Sequence, residues 1–230
     1  MSTGSKARHT ISFANRIFRG SAQYGKYSGG KRGLEVSDLY HVNFGAVTAA
    51  DPNGVSETQN VGAGASFSLD GALVSGGVAT FDVPRNVVGA WTTTSVLTVT
   101  GTDEYGEAVV ESSASGTSMA GIKAFKTVTS VTSSVSITGA TVGTGKVLGL
   151  PFRVSTKNQV IVVSEDGKAE TASVVVAGVA TNPATATTGD IRGTVAVAGT
   201  PDATKTYSVL MARGSTPTKV GMFGVSQFAG

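Results

Sequence analysis

Residues 96–111 read VLTVTGTDEYGEAVVE, and this stretch decides the fold class. Leu97 and Val99 alternate with Thr98 and Thr100, the period of two that places successive side chains on opposite faces of a strand. Asp103-Glu104-Tyr105-Gly106 has turn chemistry. The return run, 107–111, is expected to put Ala108 and Val110 on the covered face and both carboxylates, Glu107 and Glu111, on the wet one. Outward from this hairpin the same grammar repeats. Further strands are expected at 39–44, 67–69, 72–74, 78–83, 125–132 and 135–138. Asp51-Pro52-Asn53-Gly54 is a type I turn. Pro84 is expected to end the run before it, because it has no N–H for a ladder. The Gly-rich segment 143–149 reads as an exit from the central block.

The third region, from 155 onward, repeats the pattern. The run 159–163 is apolar on both expected faces, as in a strand between two layers. Glu165-Asp166-Gly167-Lys168 is a hairpin turn with 171–177 as the return strand, and 194–198 with 206–212 reads as a second hairpin. Turn signals recur every ~8–12 residues, the spacing of sandwiches and barrels. No helix of three turns is expected. The expected fold is all-β: an antiparallel β-sandwich or a jelly-roll or barrel-like body, preceded by an extended basic N-terminal arm. The division is 1–38 for the arm, 39–154 for the body and 155–230 for a second β-rich block, which can belong to the same domain.

Composition agrees. Charged residues are 14% of the chain, against about 25% in an average domain. Gly stands at 31 of 230, close to twice the usual ~7%, which suits many tight turns. There is no cysteine, which excludes disulfides, thiolate nucleophiles and Cys-ligated metal and fits a reducing compartment. The N-terminus lacks the apolar stretch of a secretory signal, and no apolar run is long enough to span a bilayer. No membrane partner is expected.

Charge is concentrated at one end. The first forty residues hold seven Lys/Arg against two acids, net +5, while the rest is −2. Aromatics are interleaved with these cations. The arm is therefore the candidate partner-binding segment, through Lys6, Arg8, Phe13, Arg16, Phe18, Arg19, Tyr24, Tyr27, Lys31 and Arg32. Its aromatics would be anchors and its cations rim contacts. Nucleic acid is not the expected partner, since no recognisable nucleic-acid fold follows the arm.

Three motifs invite chemistry. Gly116-Thr117-Ser118-Met119-Ala120 matches the segment around the nucleophilic serine of subtilisin-like proteases. Here Gly121-Ile122-Lys123 replaces the usual Pro context, and the only histidines, His9 and His41, lack the family's setting. A serine without a positioned base is not activated, so the segment reads as a turn. Residues 139–147, GATVGTGKV, approach a phosphate loop, but Ala140 and Val147 break the pattern and no helix follows, so this too reads as a Gly-rich turn. Asp103, Glu104 and Glu107, and likewise Glu165, Asp166 and Glu170, read as solvated turn acids without metal-ligand spacing. Trp91 reads as a core or interface anchor. No catalytic residue, metal site or cofactor is expected, and the chain is not read as an enzyme.

A family resemblance is carried by Asp82-Val83-Pro84-Arg85-Asn86-Val87, by 97–107 (LTVTGTDEYGE), by Lys123-Ala124-Phe125-Lys126-Thr127-Val128 and by 142–151 (VGTGKVLGLP). This pattern resembles small β-rich proteins of tailed-bacteriophage heads, of the decoration or cement type. It covers roughly a third of the chain and is made of strand and turn residues. The resemblance implies a structural virion protein on the capsid exterior, assembled in the host cytoplasm. It would bind the major capsid protein and brace neighbouring subunits, with copies associating as dimers or trimers. The alternative implied is a tail, neck or fibre component, or an Ig-like adhesin module.

Overall fold

The computed structural model describes residues 39–179 and 184–212. The chain runs through β1 (Leu39–Ala46), β2 (Ser56–Val61), β3 (Val74–Ser75), β4 (Val78–Ser95), β5 (Leu97–Thr102), β6 (Ala108–Ser112) and β7 (Gly116–Ala120). It continues through β8 (Phe125–Ser133), β9 (Ile137–Gly149), a 3-10 turn (Lys157–Gln159), β10 (Val160–Glu165), β11 (Lys168–Ala169), β12 (Val174–Ala177), β13 (Gly193–Ala196) and β14 (Thr206–Ala212). Every ladder is antiparallel, and the only helical element among the described residues is the single 3-10 turn. The protein is all-β.

Ten strands form one curled, half-barrel sheet in the order β12-β13-β9-β4-β8-β5-β6, with β2 added on β9, and β3 and β7 on β4. The remaining four form a small sheet, β1-β14-β10-β11. The first core fills the curl with Phe67, Phe81, Trp91, Leu97, Phe125 and Ile137 among others. The second lies between the sheets, where Val163, Tyr207, Val209 and Met211 meet Val83, Leu148, Phe152 and Val195. The two long strands β4 and β9 contribute to both cores, which ties them together. Fully burying each large apolar side chain is worth roughly 1.5–3 kcal/mol.

Several sequence expectations are corrected. Pro84 does not end its strand. It lies in the 81–84 interval, where β4 has left its pairing with β8 at Thr80 and has not yet rejoined at Arg85, so no ladder N–H is demanded of it. The segments 139–147 and Gly116–Ala120 are strands, not turns. Gly143 shows why glycine can serve in β9. A Cβ there would overlap the Asp51 carbonyl oxygen, because the turn at 51–54 lies directly on the strand. That contact is held by Thr144 N–H to Asp51 O at 2.7 Å and Val55 N–H to Val142 O at 3.0 Å. Close backbone approach, not a bend, is what the glycine permits.

The C-terminal block is rearranged more deeply. The turn at 165–168 forms as expected, with Asp166 and Gly167 both at positive φ. Its return strand is only β11, and β12 then crosses to the large sheet to pair with β13. The expected hairpin of 194–198 with 206–212 does not exist, since β13 joins β9 while β14 inserts between β1 and β10. β10 covers only one face: Val160 and Val163 pack on the second core, while Ile161, in the bulge between Val160 and Val162, is exposed. The segment 67–69 forms no strand, and β2 was not foreseen.

Candidate functional site

The turn after β5 and the strand β6 carry the densest buried charge in the described residues. Asp103 is buried, not solvated. One of its oxygens accepts the N–H groups of Tyr105 at 2.8 Å and Glu107 at 3.0 Å, which closes the turn. The other accepts from the guanidinium of buried Arg192. That guanidinium also stands over the Tyr105 ring, 5.1 Å from its centre. The Tyr105 hydroxyl donates to the Pro151 carbonyl at 2.9 Å. Burial first, and Glu104 second, push its ionisation upward.

β6 faces the opposite way from the sequence expectation. Val109 and Glu111 are buried, Ala108 is exposed and Val110 half-buried. The register explains it, since Gly101 sits opposite Val109 and Val99 opposite Glu111, so the core side of β5 meets these two residues. The Glu111 carboxylate accepts Ile122 N–H at 2.6 Å and Lys123 N–H at 3.2 Å. Burial nevertheless raises its pKa to about 7, against the pull of those two donors and of Lys123.

Lys123 is fully buried. Its ammonium donates to the carbonyls of Val110 at 2.9 Å and Thr185 at 2.6 Å. Burial lowers its pKa, and Glu111 and Asp190 raise it in part. Asp190 in turn accepts Ala124 N–H at 3.1 Å, Arg192 N–H at 2.8 Å and Gly193 N–H at 3.1 Å. Ser112 N–H donates to Ala186 O at 2.8 Å. The outer edge of β6 is thus covered by a cation and a loop rather than by another strand, one of the ways proteins keep a sheet edge from pairing. The arrangement is a seam of buried charges that fastens residues 184–193 to the open side of the curl.

Next to this seam, between β6 and β7, opens a groove of about 510 Å³ lined by Glu111, Ser112, Ser113, Ser118, Ile122 and Thr187 among others. Ser118 lies on β7 opposite Ala90. Glu111 is the one ionisable residue of the lining, and both its oxygens are engaged by backbone N–H groups. His41 is on β1, in the small sheet. Lys146, from the phosphate-loop-like segment, is exposed and donates to Ala198 O at 3.4 Å. Trp91 is in the first core, with its indole N–H donated to Gly116 O at 2.8 Å. Among the described residues no group of acidic, His or Cys side chains is arranged to hold a metal, and no helix is long and apolar enough to cross a membrane.

The ten arm residues expected to bind a partner, from Lys6 to Arg32, lie outside the described residues. The seam residues Glu111, Lys123, Asp190 and Arg192 were not singled out from sequence as a group. Their available signal is a single charge set among small and apolar neighbours, as in Gly121-Ile122-Lys123-Ala124-Phe125 and Ile191-Arg192-Gly193. Fold and site together define the class: an all-β protein of two packed antiparallel sheets, braced by a seam of buried charges that includes the Asp103–Arg192 ion pair. Comparison with known proteins finds no matching family model, curated protein or solved structure.

Proposed function

We propose that this chain is a structural virion protein that binds the outer surface of a bacteriophage head and braces neighbouring major capsid subunits. The observation that carries the reading is how the N-terminal arm is attached. The arm ends where β1 begins, and β1 is locked along its length to β14, from Leu39 opposite Ala212 to Ala46 opposite Thr206. A pull on the arm would therefore load a whole antiparallel ladder in shear, and β14 passes it through Val209 and Met211 into the second core. That is the mechanical layout of a clamp, with a rigid body at one end and a basic, aromatic-bearing segment at the other.

A protein touching two capsid subunits gains by effective concentration, because the second contact is intramolecular once the first is made. Interfaces of standard size bury roughly 800 Å² per partner, which an arm of this length and one face of the body can supply together. Association of copies as dimers or trimers would match local capsid symmetry.

The test is immunogold labelling of particles of the parent phage with an antibody to this chain. Label over the head faces is expected. Label confined to the tail or neck would replace the clamp by a tail or fibre role, and unlabelled particles would overturn the virion reading.

A further inference from the structure

The most exposed large apolar side chains of the described residues include Val174 at 58%, Val176 at 51% and Ile161 at 50%. Two of them stand on β12, the last strand of the large sheet. Its one ladder goes to β13, from Val174 opposite Ala196 to Ala177 opposite Gly193. Its other edge carries no strand among the described residues. Val175, between the two exposed valines, packs against the second core. β12 has no charge, proline or bulge, so it lacks the devices that normally keep an edge from pairing.

The end of the described chain lies close by. The carbonyl of Ala212, where β14 stops, accepts from the Gln159 side chain at 3.4 Å. Gln159 closes the 3-10 turn, and that turn packs beside β12. The described chain therefore ends at a turn that touches β12, and residues 213–230 continue from there. They carry Val220, Met222, Phe223, Val225 and Phe228, with Arg213 and Lys219 as the only charges. The six residues 213–218, extended, reach about 20 Å. The N-terminal arm also leaves here, since Leu39 is opposite Ala212. It is the poorer match, because its seven Lys/Arg would find no carboxylate on β12.

We propose that residues 219–225 of the same chain dock on the open edge of β12, extending the large sheet by one strand and covering Val174 and Val176. Attachment in cis holds the segment at high local concentration beside its edge, and main-chain pairing supplies the register. The inference stands apart from the capsid reading and neither needs nor supports it.

The chain has no cysteine, so engineered pairs report this contact alone. Full-length protein carrying Val176→Cys with either Met222→Cys or Phe223→Cys is oxidised at low concentration. One of the two pairs is expected to close within a single chain, as a monomer on a non-reducing gel with the bond located by mass spectrometry. Thr58→Cys, exposed on β2, with the same tail cysteines is expected to stay reduced. Bonding no better at 176 than at 58 would overturn the proposal. Bonds formed only between chains would overturn it in favour of a second copy's tail on this edge. Hydrogen exchange of the unaltered protein gives a second readout. Amides 220–225 should exchange at least about tenfold more slowly than unprotected ones, and this protection should vanish in Val174→Lys/Val176→Lys. Unprotected exchange in the unaltered protein would reject docking.

Discussion

The curled part of the large sheet and the small sheet are built in opposite ways. Nearly all of the curl comes from one continuous stretch, residues 56–149, whose strands pair with others of that stretch. The small sheet is assembled from three distant pieces, β1, β10–β11 and β14, brought together from both ends of the chain. The longest ladder inside that stretch joins Ser56 to Val142, whereas the small sheet joins Leu39 to Ala212, so closing the small sheet costs more loop entropy before its ladders contribute. The difference also shows in what each region buries. The small sheet is held by apolar side chains and Tyr207, while the open side of the curl is closed by Asp103, Glu111, Lys123, Asp190 and Arg192.

The largest effect is expected at the buried cation, Lys123. Lys123→Ala removes the ammonium that the Val110 and Thr185 carbonyls accept from and that offsets the charges of Glu111 and Asp190, and should cost about 3–5 kcal/mol in chemical denaturation, as removal of one partner from a buried charge set does. Phe125→Ala, in the first core, should cost a similar ~3–5 kcal/mol through the cavity it leaves. Val209→Ala in the small sheet removes less volume and should cost about 1–3 kcal/mol. If it unfolds the whole chain in one transition with the curl, the two regions are one cooperative unit. A separate, earlier transition would show that the small sheet opens on its own.

Stability should also depend on pH through Glu111. The folded Glu111 carboxyl has its pKa raised from 4.5 to about 7. Between these values the folded state holds the proton and the unfolded state does not. Its contribution is thus present below pH 4.5 and lost as pH rises towards 7, on the order of 3 kcal/mol in all. The stability of the unaltered protein relative to Glu111→Gln should fall over that window, measured by denaturation at several pH values. A flat difference would mean that the two backbone donors hold the carboxylate ionised. The smallest effect is expected at the surface pair Lys205–Glu165, 3.1 Å apart and partly exposed. Lys205→Met should leave the melting temperature unchanged, since such pairs are screened.

How much could be read in advance differs between the two regions for the same reason. In the curl, β5 alternates as expected and the turn at 103–106 forms where its residues say, because both follow from neighbours in the chain. The facing of β6 was misread. The run Ala108-Val109-Val110-Glu111 offers two apolar registers, and hydrophobicity alone favours the one that keeps the acid wet. The Ile122 and Lys123 N–H groups reverse that choice, and they belong to a different part of the chain. Pro84 was misread likewise, because whether a proline is tolerated depends on whether a partner strand is present at that residue. The hairpin expected between 194–198 and 206–212 failed since turn residues show that the chain reverses, not which strand lies beside it.

By itself, then, the amino-acid sequence determined the all-β class, the positions of most strands and turns, the absence of any disulfide and the basic character of the N-terminal forty residues. These are properties of local periodicity and composition. Tertiary structure alone decided the partner of each strand, the split into a curled sheet and a small sheet, and the burial of Glu111, Lys123, Asp190 and Arg192. A buried charge is tolerable only when donors and acceptors from elsewhere in the chain meet it. That condition is set in space and leaves almost no local trace in the order of residues.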